Sequence, residues 1–267
     1  MTLVRRMLAA GLALVVVSVL AVAQESREVQ KTVPLEKNGR VIIDTYKGSV
    51  KVEPWDKAEV SIEAKIEADD WGKYSAEKVR DTEIDIDASA SSVRIKSDYR
   101  RIQRRRSSFW DLFDGDNGSL PFVHYTIRMP ATASLRIKDY KSESTVSGLK
   151  ADLDINTYKG EVDIRRLDGG LRLETYKGEC RVEFAAMRSS GSLETYKGEI
   201  KVFLPSREGF ELDARVGRHG DFDSDFDVES SGGTRRNRNS SFYGKVNGGG
   251  PTLRMRTDKG ELRLIKD

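Results

Sequence analysis

Apolar and polar residues alternate with a period of two over most of the chain, and the alternation changes phase at a recurring place. In "LRLETYKGECRV", residues 171–182, the inward phase runs Leu171, Leu173, Thr175 and resumes at Cys180 and Val182. The step from Leu173 to Cys180 is odd, and the same odd step separates Ile43 from Val50, Ile155 from Val162, Leu193 from Ile200 and Met255 from Leu262. Side chains of a strand alternate between two faces, so both halves can face one core only if a corner absorbs the extra residue. Gly48, Gly160, Gly178, Gly198 and Gly260 stand at that corner, with Ser142 in the sixth copy. Glycine takes bends and close approaches that a Cβ forbids.

The corner itself is a repeated tetrapeptide. Thr-Tyr-Lys-Gly occurs at 45–48, 157–160, 175–178 and 195–198, and is varied to Asp-Tyr-Lys-Ser at 139–142 and Thr-Asp-Lys-Gly at 257–260. The central copies are spaced 18, 18 and 20 residues apart, a period that marks stacked repeats. A meander of hairpins would need a second turn of equal regularity, yet the connections "RRLDGGL", "AAMRSSGSL" and "PSREGFEL" differ. The pattern therefore predicts an all-β parallel coil with rungs of about 18–20 residues, in which equivalent residues stack about 4.8 Å apart. Tyr140, Tyr158, Tyr176 and Tyr196 would form a ridge, with Lys141, Lys159, Lys177 and Lys197 in a column beside it. Glu143, Glu161, Glu179 and Glu199, with Glu174 and Glu194, are placed to interleave with those lysines and neutralise them.

Outside the repeats, residues 32–66 and 82–97 read as strands, and "WGKYSAEKVRD" at 71–81 as one short helix packing through Val79. Residues 99–121 interrupt the alternation with five arginines followed by Phe109, Trp110, Leu112 and Phe113. Arg104, Arg105, Arg106 and Trp110 are the candidate tip of a surface finger for an anionic partner, set against a flexible insertion folded on the body. Asp221, Asp223, Asp225 and Asp227 share one face of an extended segment, but they lack the loop glycine and distal glutamate of a calcium loop. No metal site is expected. The implied organisation is 1–23, 24–98, 99–121 and 122–267.

Composition adds the compartment. Residues 1–23 carry Arg5 and Arg6, an apolar run from Met7 and Ala21-Val22-Ala23, the pattern of a cleaved secretory signal; a retained anchor is the alternative. Its removal lowers the formal charge of +3 by two, to +1, which gives no reason to expect nucleic acid. Cys180 is the single cysteine, so packing alone must hold the fold, and its inward phase makes it a small buried hydrophobe. Charged residues are 33% and hydrophobic ones 37%, which suits a thin, elongated core. His124 and His219 are solitary, and no triad, phosphate loop or zinc spacing is present. No catalytic residue and no cofactor are expected.

The segment "GRVIIDTYKGSVKVEPWDKAEVSIEA", the helix, "VHYTIRMPATASLRI", the glycine corners and the ending "YGKVNGGGPTLRMRTDKGELRLIKD" resemble a bacterial adhesin-like family of unknown function. The resemblance implies a right-handed parallel β-solenoid in an exported envelope protein and brings no catalytic residue; the arginine insertion departs from the family pattern. The expected function is non-enzymatic binding through the repetitive surface, with an envelope glycan or other anionic surface as partner. Stacking of solenoids into a homo-oligomeric scaffold is the alternative. A polysaccharide-active enzyme would need acids converging with a basic residue, whereas here they only repeat.

Overall fold

The computed structural model describes residues 26–69, 74–105, 119–231 and 240–267. Residues 1–23, read above as a secretory signal, lie outside them, as do Arg106 and Trp110. The strands are β1 (Ser26–Pro34), β2 (Arg40–Asp44), β3 (Lys47–Trp55), β4 (Glu59–Glu67), β5 (Glu83–Ala88), β6 (Ser92–Asp98), β7 (Phe122–Pro130), β8 (Ser134–Lys138), β9 (Lys141–Ser147) and β10 (Leu153–Lys159). They continue with β11 (Val162–Asp168), β12 (Leu171–Ala186), β13 (Gly191–Leu204), β14 (Phe210–Val216), β15 (Asp221–Ser224), β16 (Glu229–Ser231), β17 (Ser240–Val246), β18 (Thr252–Thr257) and β19 (Glu261–Lys266). Among the described residues two helices, α1 (Ser75–Asp81) and α2 (Arg100–Arg105), accompany them.

Before the corner, β6, β2, β8, β10, β12, β13, β18 and β14 pair side by side in parallel. After it, β7, β3, β9, β11, β12, β13, β19 and β15 do the same. Each rung thus contributes one strand to each face, and the predicted register holds: Thr157 lies beside Thr175 and Thr175 beside Thr195. The inward residues of both faces, among them Leu173, Cys180, Val182 and Phe184, form one buried core.

The expectation of one continuous parallel coil needs correcting at both ends. There β5 runs antiparallel on β6, β4 on β7 and β1 on β4, while at the other end β17 runs antiparallel on β14 and β16 on β17. An end rung presents a row of unpaired N–H and C=O groups, and these strands pair with them. The result is a β-solenoid-like mixed sheet. Rung order also departs from chain order, because β2/β3 lies between β6/β7 and β8/β9, and β18/β19 lies between β13 and β14/β15.

The helix expected at 71–81 is α1, with Val79 buried. Helix α2 was not legible. It opens the 99–121 insertion, which replaces the corner of the β6/β7 rung: Ser97 takes the threonine position, 2.9 Å from Thr45 Oγ1, and Phe122 takes the position beside Lys47.

Candidate functional site

The corner projects its tyrosines because its other members turn inward. Thr157, Thr175 and Thr195 are buried. In the two varied copies the inward side chain ties the corner: Thr257 Oγ1 accepts Gly260 N–H at 2.8 Å, and Asp139 Oδ1 accepts Ser142 N–H at 3.0 Å. The glycines permit close stacking of rungs. A Cβ on Gly178 would overlap the Gly160 carbonyl oxygen, and one on Gly198 or Gly260 would meet the carbonyl of the rung below in the same way. At Gly160 and Gly178 this close approach, not a left-handed backbone, is the requirement, since neither has a positive φ, whereas Gly48 and Gly198 do.

The predicted ridge is assembled, and it is longer than predicted. Tyr46, Tyr140, Tyr158, Tyr176 and Tyr196 stack face to face with centroids 4.9, 4.9, 4.8 and 5.0 Å apart and planes within 10°. Tyr46 belongs because the β2/β3 rung lies against β8/β9, although it precedes Tyr140 by most of a hundred residues; its copy of the tetrapeptide is the signal that could have placed it. Both outer faces of the stack are covered. Tyr99 meets Tyr46 edge-on at 6.3 Å, and Lys259 Nζ sits 5.1 Å from the Tyr196 centroid. The ring faces are therefore spent on one another, and the ridge offers solvent its ring edges and a line of hydroxyls, each tyrosine being 37–43% exposed.

Lys159, Lys177 and Lys197 lie in register on adjacent rungs, and Lys141 lies beside Lys47. The expected neutralisation by glutamates does not occur through contact. Glu174 is held by Arg172 at 2.5 Å and Asn156 at 2.9 Å, and Glu199 by Lys201 at 2.7 Å and Arg263 at 3.5 Å. Cations on the same strand or the adjacent one reach these carboxylates more easily than a lysine across the corner. Among the described residues, Lys141, Lys159, Lys177 and Lys197 make no ion pair; Lys159 Nζ lies 5.4 Å from the Tyr158 ring. Lys47 leaves the column. It is 4% exposed, pairs with Asp69 at 2.5 Å and lies over Phe122. Burial would raise the Asp69 carboxyl, but hydrogen bonds from Lys47 and Ser119 outweigh it and hold it below its usual range.

On its other side the ridge walls a groove of about 1100 Å³ that crosses the rungs from β2 to β14. Its second wall carries Lys138, Asn156, Glu174, Glu194 and Arg256, a row of mixed sign. One rung differs inside. Asp139 is buried, with Oδ1 accepting from Thr157 at 2.8 Å and Oδ2 without a partner; burial pushes its carboxyl up to about 6.

Arg104 and Arg105 fall in the last turn of α2, while the rest of the expected finger, Arg106 and Trp110, lies outside the described residues. Two of the five arginines are spent: Arg100 on Asp98 and Asp85, and Arg101 on Glu83 at 2.6 Å. His124 is not solitary. Its Nδ1 is 2.9 Å from Ser49 Oγ and its Nε2 3.5 Å from Glu67, a grouping made by the pairing of β7 with β3 and β4. The three stand on the outer face of the sheet, and neither the ridge groove nor a second one near Arg136 is lined by them. The aspartates at 221–227 point outward, with Asp225 accepting from Lys266 N–H at 3.0 Å. Burial pushes the Cys180 thiol up to about 12.

Stacked β-rungs with an in-register polar corner define a repeat protein whose surface is a row of identical groups. The chain matches the Toastrack DUF4097 family over residues 12–264 and belongs to it. Among solved structures it is similar to a "putative cell adhesion protein" of Clostridium sporogenes, at 12% identity and TM-score 0.49, covering 91% of this chain and 100% of that one. It is also similar to a "putative adhesin" of Parabacteroides merdae, at 11% identity and TM-score 0.25, covering 90% and 97% respectively. No curated protein matches the chain.

Proposed function

We propose that this is an exported, non-enzymatic envelope protein, a right-handed solenoid that uses the tyrosine–lysine ridge as an adhesin-like binding surface for an anionic envelope glycan. The observation that carries the reading is the lysine column, held in register by the tyrosine stack and free of ion pairs. Charges spaced by one rung sum their fields along a line, which favours a linear polyanion over a compact ion. The tyrosine hydroxyls supply hydrogen bonds beside that line. With the ring faces stacked on one another, recognition works through edges, hydroxyls and ammonium groups, not through a sugar laid on an aromatic face. Export rests on the apolar N-terminal segment; no helix of the described residues is long and apolar enough to cross a membrane.

The test is attachment of the purified chain to isolated envelope across a salt series. Changing Lys159, Lys177 and Lys197 together to Gln is expected to leave the thermal midpoint within a few degrees, since exposed charges contribute little to folding, while weakening attachment and flattening its salt dependence. Unchanged attachment overturns the ridge as the binding surface. The scaffold alternative has less support: antiparallel strands cover the parallel rungs at three of the four sheet edges, so that among the described residues the only rung strand left with one partner is the four-residue β15, and the other single-partner strands, β1, β5 and β16, run antiparallel to their neighbours.

A further inference from the structure

Five phenols stacked at 4.8–5.0 Å with nearly parallel planes are an unusual reactant. Phenoxyl radicals couple through the carbons ortho to oxygen, and in solution two of them must first meet. Here the meeting is built in. Parallel pairing sets each tyrosine beside its copy, so equivalent ring carbons face each other across one stacking distance, and holding two reactants together removes the entropic part of the barrier. The rings are also reachable, because each of the five is 37–43% exposed along its edge and hydroxyl.

We propose that the ridge is a site of oxidative cross-linking, in which a haem peroxidase using hydrogen peroxide joins tyrosines of neighbouring rungs. Each of two stacked phenols gives up its O–H hydrogen, one electron and one proton. The two radicals pair their electrons in a new bond between ortho carbons. The ring hydrogens displaced there return to the oxygens and restore both phenols. The peroxide takes up the two hydrogens lost in all and leaves as two water molecules. The link staples residues 18 or 20 positions apart, such as Tyr158 to Tyr176 or Tyr176 to Tyr196, and in the case of Tyr46 and Tyr140 residues 94 positions apart.

Tyr243 provides the internal control, since at 49% it is more exposed than any tyrosine of the ridge and no ring is stacked on it among the described residues. The full chain is treated with a haem peroxidase and limiting hydrogen peroxide, then examined by dityrosine fluorescence, denaturing electrophoresis, intact mass and peptide mapping. The expected result is a monomeric band, a loss of two hydrogens per link, and links confined to the pairs 46/140, 140/158, 158/176 and 176/196. Tyr176→Phe keeps the ring and the stack, and is expected to abolish the last two pairs while sparing the first two. Links that favour Tyr243, links between molecules, or no links under conditions that couple free tyrosine overturn the proposal. So does a map unchanged in Tyr176→Phe.

Discussion

Asp139 stands where the other copies of the tetrapeptide bury threonine, and this one exchange has a thermodynamic sign that can be measured. Its folded-state carboxyl is raised to about 6 from 3.8 because burial disfavours the charged form, against the opposing hydrogen bonds from Thr157 and Ser142. Between those two values the folded chain binds more proton than the unfolded one, so stability falls as pH rises from about 4 to about 6 and is flat above; a shift of about two units corresponds to roughly 3 kcal/mol. Asp139→Thr restores the repeat, since a threonine here can accept Ser142 N–H as Thr257 accepts Gly260 N–H. It is expected to stabilise the protein at neutral pH by roughly 1–3 kcal/mol and to remove that slope, read by urea unfolding at pH 4, 5, 6 and 7. At Gly178 the expectation is opposite: Ala would drive a Cβ into the Gly160 carbonyl, and a loss of roughly 3 kcal/mol or more is expected in the same assay. The glycines were legible as a column because the alternation breaks there. The buried charge was not, because periodicity places a residue on a face without showing whether its second oxygen finds a donor.

At the scale of elements, the strands and corners could be read from period two and its phase change, and α1 from its own segment. Helix α2 and the fate of the arginines could not, because each depends on what lies across the stack. Acids on β5 and β6 take Arg100 and Arg101, and Asp69 takes Lys47, which the repeat alone would have left on the surface. Tyr99 shows how the insertion is anchored. It is buried, closes the tyrosine stack edge-on, and its hydroxyl donates to Pro121 O at 3.4 Å, so that one side chain ties the two ends of the insertion together. Burial raises its phenol to about 12. Tyr99→Ala is expected to cost roughly 3 kcal/mol or more, the usual loss for a buried aromatic, and Tyr99→Phe only about 1 kcal/mol, both measured by chemical denaturation.

Over the whole molecule, the repeat revealed that rungs stack but not the order in which they do so. Tyr46 was therefore missed, and so were the antiparallel strands that cover the end rungs. Chain order and spatial order agree only from β8 to β13, the stretch that holds three of the four exact copies of the tetrapeptide. The first and last corner rungs, β2/β3 and β18/β19, are each clasped between two others. A new unit appended at either terminus would find both its neighbours already paired, whereas one introduced between β10/β11 and β12 would meet two matching edges. A second copy of residues 153–170 placed after Asp168–Gly170 is expected to fold, to add a sixth ring to the stack, and to lengthen the particle by about 4.8 Å in small-angle scattering. The same segment fused after Asp267 should remain unfolded. The protein is in this sense a ruler that can be extended only from its middle, so that relatives of different reach would differ by internal duplications and keep their two ends unchanged.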